Sequence, residues 1–191
     1  MKTIILMLSN KTNNTINPLI NKTLKFCLIL IVSLFFFNCE ELTGDSDETE
    51  LTIIKFSPSE QSISTNTTAT LDLMVENLSE PCFALTLQLS YHSSFLSFND
   101  STGYRSGDFF GEESISFVKE EDSVVYIAIS LIRGEEGIKG SGSLGKLVFL
   151  GEKAGSGTIQ LQNSKIHFFD SGGDEILIGD FETEAATIEV N

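Results

Sequence analysis

The sequence contains no tryptophan, and only two of its 191 residues are histidines. Sugar-binding β-sandwiches stack pyranose rings on exposed aromatic side chains, so the lack of tryptophan counts against direct carbohydrate recognition. The two histidines, His92 and His167, are isolated, and neither a G-x-S-x-G nor an H-E-x-x-H pattern occurs. The sequence therefore lacks the catalytic motifs of a serine or zinc hydrolase, and we expect a protein that is not an enzyme.

Basic residues are also scarce, with 12 Lys and Arg against 27 Asp and Glu and a net charge of −15. Residues 1–39 hold four of the lysines and no acid, so residues 40–191 retain 8 basic and 27 acidic side chains, a net charge of −19. A surface of this sign repels phosphate backbones, which argues against nucleic-acid binding. It suits an exported protein.

The chain has one long uncharged apolar run, FCLILIVSLFFF at Phe26–Phe37, and it follows Lys22 and Lys25. It falls short of the ~20 residues of a membrane-spanning helix and is typical of a signal-peptide core. The cysteine soon after it, Cys39, resembles that of the lipobox of bacterial lipoproteins, which is lipidated and becomes N-terminal after cleavage. We expect a lipoprotein signal peptide over 1–38 and lipidation at Cys39. An ordinary secretory signal is the alternative.

The next segment, EELTGDSDETE, is acidic and poor in apolar residues, which predicts a disordered tether over 39–50. The protein is then expected to be exported and held at a bacterial membrane, either the outer membrane or the cell surface, through its lipid alone. Of the three cysteines, only Cys82 falls in the part expected to fold. An intramolecular disulfide is thereby excluded there, and a buried thiol is favoured.

The remainder, residues 51–191, reads as one all-β domain. TATLDLMVEN, CFALTLQLSY and SVVYIAISLI each alternate apolar and polar side chains with a period of two, as half-buried antiparallel strands do. Turns rich in Gly, Ser and acids separate these and eight further strand candidates. Many short strands in one domain predict a β-sandwich or jelly roll.

The stretch GSGSLGKL matches the G-x-x-x-x-G-K of a phosphate-binding loop, but Leu147 stands where that loop needs Ser or Thr. A strand follows it instead of a helix. We therefore expect Gly140 and Gly142 to form a turn, Leu147 and Phe149 to face the core, and Lys146 to point the other way.

The turn FFDSGGDEI places the carboxylates of Asp170, Asp174 and Glu175 around a Gly-Gly pair. Closely spaced oxygens on a turn can coordinate Ca²⁺, although the spacing is not that of a calcium-specific loop. A plain hairpin turn is the alternative, and no other cofactor is expected.

The segment YRSGDFFGEE puts Tyr104, Phe109 and Phe110 in a loop. If these rings are exposed, we expect them to contact carbohydrate. The alternative is that Phe109 and Phe110 are buried and close one end of the core.

The order of these segments resembles the cohesin domain. TNTTATLDLMVEN, FALTLQLSYHSSFLSF and VVYIAISLI are followed by GSGSLGKLVFLGEKAGSGTIQLQNSKIHFFDSGGDEI and a closing ATIEV. The resemblance covers residues 51–191, and its order and spacing are more specific than any single motif. It implies an antiparallel sandwich of about nine strands with jelly-roll topology and no catalytic activity.

The resemblance also implies a docking role, since the best-known cohesins bind the dockerin modules of polysaccharide-degrading enzymes through a flat sheet face. The matching face here carries Ala84, Thr86, Gln88 and Ser90, small uncharged residues that suit flat packing; cover by the protein's own loops is the alternative. Ala84 and Thr86 stand where cellulosomal cohesins have Asn and Asp, and His92 stands at another Asp. We expect a dockerin-like or other surface protein as partner. A carbohydrate-binding module is the second hypothesis.

Overall fold

The computed structural model describes residues 50–133 and 136–191. The predicted signal peptide, Cys39 and all but the last residue of the tether lie outside these residues, and so these three expectations remain predictions. In the part of the chain that is described, no helix is both long and apolar enough to cross a membrane.

The described residues form fourteen strands and one turn of 3₁₀ helix at Asn163–Lys165. In chain order the strands are β1 (Thr52–Ser57), β2 (Glu60–Ile63), β3 (Thr68–Cys82), β4 (Ala84–Tyr91), β5 (Leu96–Phe98), β6 (Tyr104–Ser106), β7 (Ser114–Glu121), β8 (Val124–Leu131), β9 (Ile138–Gly151), β10 (Gly155–Leu161), β11 (His167–Phe169), β12 (Glu175–Ile176), β13 (Phe181–Thr183) and β14 (Ala186–Val190).

These strands make two sheets packed as a sandwich. The first runs β13-β1-β3-β9-β5, and β6 also pairs with β9. The second runs β12-β11-β4-β10-β14-β2. In this sheet β4 also pairs with β8, and β8 pairs in turn with β7. The predicted all-β jelly-roll sandwich is confirmed. Short strands raise the count above nine, and two pairings, β1–β13 and β2–β14, are parallel.

The core lies between the sheets and follows the alternation of the sequence. In β9, Leu147 and Phe149 are completely buried while Lys146 is exposed, as the pattern predicts. The turn expected at Gly140 and Gly142 is wrong: both lie inside β9, which already begins at Ile138. The pairing of β3 with β9 shifts register along this stretch, and a glycine accommodates the irregular backbone, as the φ of +105° at Gly140 shows.

Candidate functional site

The side chains of β4, an inner strand of the second sheet, alternate strictly between the core and the outer face of that sheet. Leu85, Leu87 and Leu89 are buried, and the four residues between and beside them are half-buried on the opposite side. These are the residues that the sequence predicts for partner contact: Ala84, Thr86, Gln88 and Ser90.

Pairing registers extend this face across four strands. One row of aligned residues crosses the sheet from Phe117 on β7 to Ala128 on β8, Thr86 on β4 and His167 on β11. Because neighbouring strands are about 4.8 Å apart, this row spans about 14 Å from Phe117 to His167. Its middle is small and its two ends are large, so the row forms a shallow groove.

The next row towards the C-terminal end of β4 aligns Lys119 with Tyr126 and Gln88. Lys165 lines the groove on the β11 side, beside His167. The groove has a volume of about 410 Å³, and its lining contains two lysines and no carboxylate. We call the outward residues of β4, β7, β8 and β11, together with Ile132 and Lys165, the groove face.

The groove face also carries four of the five large apolar side chains that the described residues expose. Ile115 is 46% exposed, Phe117 68%, Tyr126 38% and Ile132 64%, and all four lie on or directly after the β7–β8 hairpin. Single exposed apolar residues are ordinary, whereas a contiguous group marks an interaction surface.

Sequence reasoning missed Ile115 and Phe117, because in SISFVKE the period of two would turn these two residues towards the core. The structure turns Ser114 and Ser116 inward instead. Ser116 Oγ lies 3.0 Å from Ser106 Oγ of β6, so a strand from the other sheet fills the space that larger side chains would need. The alternation in the sequence shows that β7 has two different faces. Which of the two faces turns inward depends on the contact between Ser116 and Ser106.

One ion pair and one further hydrogen bond between side chains border the groove. Lys119 Nζ lies 2.7 Å from Glu121 Oε2, and this hydrogen bond raises the pKa of the lysine and lowers that of the glutamate. On the opposite side, His167 Nδ1 lies 2.6 Å from Glu175 Oε1. Both pairs are largely exposed, so each contributes little to the free energy of folding. Their geometry holds the flanking side chains in place beside the groove.

The aromatic residues proposed for carbohydrate contact do not form an exposed cluster. Phe109 and Phe110 are 7% and 3% exposed and pack edge to face within the core. Tyr104 is half-buried, its hydroxyl donates to the carbonyl oxygen of Leu144 at 2.8 Å, and burial raises its pKa to about 12. The expected loop position is wrong for Tyr104, which lies in β6. The segment closes one end of the sandwich, and of its three rings only that of Tyr104 is partly exposed.

The three carboxylates considered for Ca²⁺ do not converge. One oxygen of Asp170 accepts hydrogen bonds from the backbone N–H groups of Gly172 and Asp174, which closes the hairpin turn. Glu175 pairs with His167. Within residues 50–133 and 136–191, no group of three or more potential metal-ligating side chains gathers anywhere. The hairpin-turn alternative accounts for this segment.

Among known proteins, only solved structures are similar to this chain. No protein-family model matches the chain, and no curated protein matches it in sequence. Solved structures do match. A non-cellulosomal cohesin from Archaeoglobus fulgidus is 21% identical with a TM-score of 0.58, over 74% of this chain and 91% of that one. A type II cohesin from Acetivibrio cellulolyticus is 14% identical with a TM-score of 0.59, over 72% and 95%.

A further similar structure is a type I cohesin–dockerin complex from Clostridium thermocellum, 16% identical with a TM-score of 0.57 over 73% of this chain and 93% of that one. At these identities the likeness establishes the fold. The described part of this chain is a β-sandwich of the cohesin type.

Proposed function

We propose that this protein is a non-catalytic docking domain that binds a protein partner through the groove face. The observation that carries the proposal is the placement of Ile115, Phe117, Tyr126 and Ile132 on the β7–β8 side of a floor of small residues on one sheet. A folded domain rarely exposes a contiguous apolar group without a partner to cover it. Small floor residues let a partner approach closely, and the large rim residues supply area to bury.

The partner class is proposed from the fold. The Clostridium thermocellum structure is a cohesin–dockerin complex, and a dockerin-like module is accordingly the first partner to test. The residues at Ala84, Thr86 and His92 depart from the cellulosomal pattern, so the recognition chemistry is this chain's own. A link to polysaccharide degradation would follow if the dockerin belonged to such an enzyme.

We also propose that the protein is an exported lipoprotein, anchored to a bacterial membrane through Cys39 and an acidic tether. The support is the order of the N-terminal sequence: two lysines, a 12-residue apolar run and a cysteine, followed by EELTGDSDETE. Such an anchor would hold the docking domain close to the membrane surface and leave it free to capture partners.

The proposal is tested with the full chain, purified in mild detergent, against an array of dockerin modules and a panel of soluble and insoluble glycans. We expect retention by at least one dockerin module, and loss of that retention in Phe117→Asp. Thr70→Asp is the matched control, because it adds the same charge to an exposed site on the other sheet. This control should bind like the wild type.

Retention by a glycan, with indifference to every dockerin module, would overturn the proposal in favour of a carbohydrate-binding module. Phe117 and Tyr126 are exposed rings, so this outcome has a physical route. Loss of glycan retention in Phe117→Asp would then place the sugar on the same face.

A further inference from the structure

We infer that the groove face selects an acidic partner, and that its occupant is an amphipathic α-helix whose carboxylates lie between Lys119 and Lys165. The inference rests on the proposed docking function and adds the chemistry of the partner. The first observation is charge. Only 8 basic residues occur in residues 40–191, against 27 acids, and yet two of them line this groove, where no carboxylate does.

The two lysines are available to a partner. Lys165 is exposed and makes no ion pair with the described residues. Lys119 pairs with Glu121, and the two side chains are 65% and 58% exposed. An exposed pair of this kind is worth little, because water and salt screen it. A partner carboxylate can therefore replace Glu121 at Lys119 with little loss.

The acidity of the rest of the domain does not override this local charge. At physiological salt the Debye length is about 8 Å, so charges on the opposite sheet and at the far ends of the strands are largely screened from the groove. The groove itself is about 14 Å wide, and its lysines lie at its edges. Two carboxylates do border the groove, Glu121 beside Lys119 and Glu175 beside His167, and the partner carboxylates would compete with Glu121 at Lys119 and meet Lys165 without such competition.

The second observation is shape. The row from Phe117 to His167 spans about 14 Å, and an α-helix with its side chains is about 10–12 Å across. Ala128 and Thr86 form the floor of this row, so a helix can lie between the large rim residues and touch the sheet.

The third observation is the order of rows along the sheet. The row of Ile115 is followed by the row of Phe117 and then by that of Lys119, with a spacing of about 6.8 Å for every two residues. Four residues of helix rise about 6 Å. A helix running along the strands would set apolar residues at i and i+4 over the first two rows. A residue at i+8 would then lie over the row of Lys119, Tyr126 and Gln88, so that a Glu or Asp there faces Lys119 and a second carboxylate beside it on the same helix face is directed towards Lys165.

The test uses two synthetic helical peptides that share leucines at i and i+4. They differ only at i+8 and at its neighbour on the same helix face. One peptide has Glu at both of these positions, and the other has Lys at both. Binding to the full chain is measured by fluorescence anisotropy at low and high ionic strength. We expect the Glu peptide to bind about tenfold more tightly at low ionic strength, and the preference to shrink as salt is added.

The double variant Lys119→Glu/Lys165→Glu should reverse the preference, because both substitutions lie on exposed positions and exchange the sign of the charge. Lys153→Glu is the matched control, since Lys153 is an exposed lysine in the turn between β9 and β10. It should leave the preference unchanged. Circular dichroism and thermal unfolding establish that each variant is folded.

Equal binding of the two peptides, or a preference for the Lys peptide, would overturn the charge selection and leave the docking function standing. Failure of both peptides to bind would contradict the helical occupant. The docking function itself is decided separately, by the dockerin and glycan arrays and Phe117→Asp. The two proposals can thus fail independently.

Discussion

The ring of Tyr104 lies directly on the α-carbon of Gly145. A β-carbon at residue 145 would be 2.3 Å from Cε2 of that ring, far inside van der Waals contact. The tyrosine hydroxyl is fixed at the same time by its hydrogen bond to the carbonyl of Leu144. The glycine that completes the apparent phosphate-binding motif is therefore required for packing, and Tyr104 joins β6 to β9 through it.

Gly145→Ala is expected to destabilise the domain by about 1–3 kcal/mol, because the added methyl group must displace a ring that is held by its hydrogen bond. Urea denaturation measures the free energy of unfolding. The control is Gly179→Ala, where a β-carbon would meet nothing within 4 Å. Similar losses at the two sites would show that Tyr104 moves aside freely, contrary to this account.

Alkaline pH is expected to weaken the domain in two steps. Burial raises the pKa of Cys82 from 9.0 to about 11 and that of Tyr104 from 10.0 to about 12. Both groups keep their protons longer in the folded state, so their contribution is complete below the unfolded pKa and is lost as pH rises through the folded pKa. Between pH 10.0 and 12, Tyr104 alone accounts for about 2–3 kcal/mol.

This dependence is measured by urea unfolding at a series of pH values. Tyr104→Phe removes the titrating hydroxyl and should flatten the stability curve above pH 10.0, while Cys82→Ala should flatten it between pH 9.0 and 11. An unchanged slope in both variants would mean that other groups govern alkaline unfolding. The absolute stability of each variant below pH 9.0 serves as its own reference.

Phe117→Asp is expected to change surface chemistry without changing stability. The side chain is 68% exposed, so its replacement should alter the free energy of unfolding by no more than about 0.5 kcal/mol. Binding of the dye ANS, which reports exposed apolar surface, should fall. Marked destabilisation would indicate that Phe117 is a packing residue, and the groove face would lose its main rim.

Cys39→Ser is expected to abolish lipidation, because the thiol is the acceptor of the lipid in a lipobox. The mature protein should lose the mass of the lipid and move from the membrane fraction to the soluble exported fraction. Ser46→Ala is a suitable control, because it changes a residue near Cys39 that has no thiol and cannot accept the lipid. The same holds for a substitution at Ser33. An unchanged mass and membrane fraction in Cys39→Ser would point to an ordinary secretory signal.

The fold could be predicted because its strongest signal is local. The alternation of Leu85, Leu87 and Leu89 fixes which side of β4 enters the core, and the same holds for Leu147 and Phe149 in β9. Period-two patterns carry this information within eight or ten residues. Short strands such as β2, β6 and β13 were not predicted, because each contains a single apolar residue and so shows no alternation to be recognised.

The candidate site could be predicted only in part. Its floor on β4 follows from the same alternation, and the resemblance to cohesins directs attention to that strand. Its rim does not follow, because the orientation of Phe117 depends on the contact between Ser116 and Ser106, which belong to different sheets. Lys165 reaches the groove through the 3₁₀ turn that precedes β11. Neither relationship has a signature in the local sequence.

The alternation along β4 and β8 assigns the proposed docking face and the core to different residues. Each outward residue, such as Thr86 or Ala128, lies between two inward ones that build the core. Substitutions in the outer set can therefore change the chemistry of the proposed docking face while the inward residues keep the sandwich intact. If the proposed docking role holds, one backbone of this kind could present different outer surfaces without a change in its core.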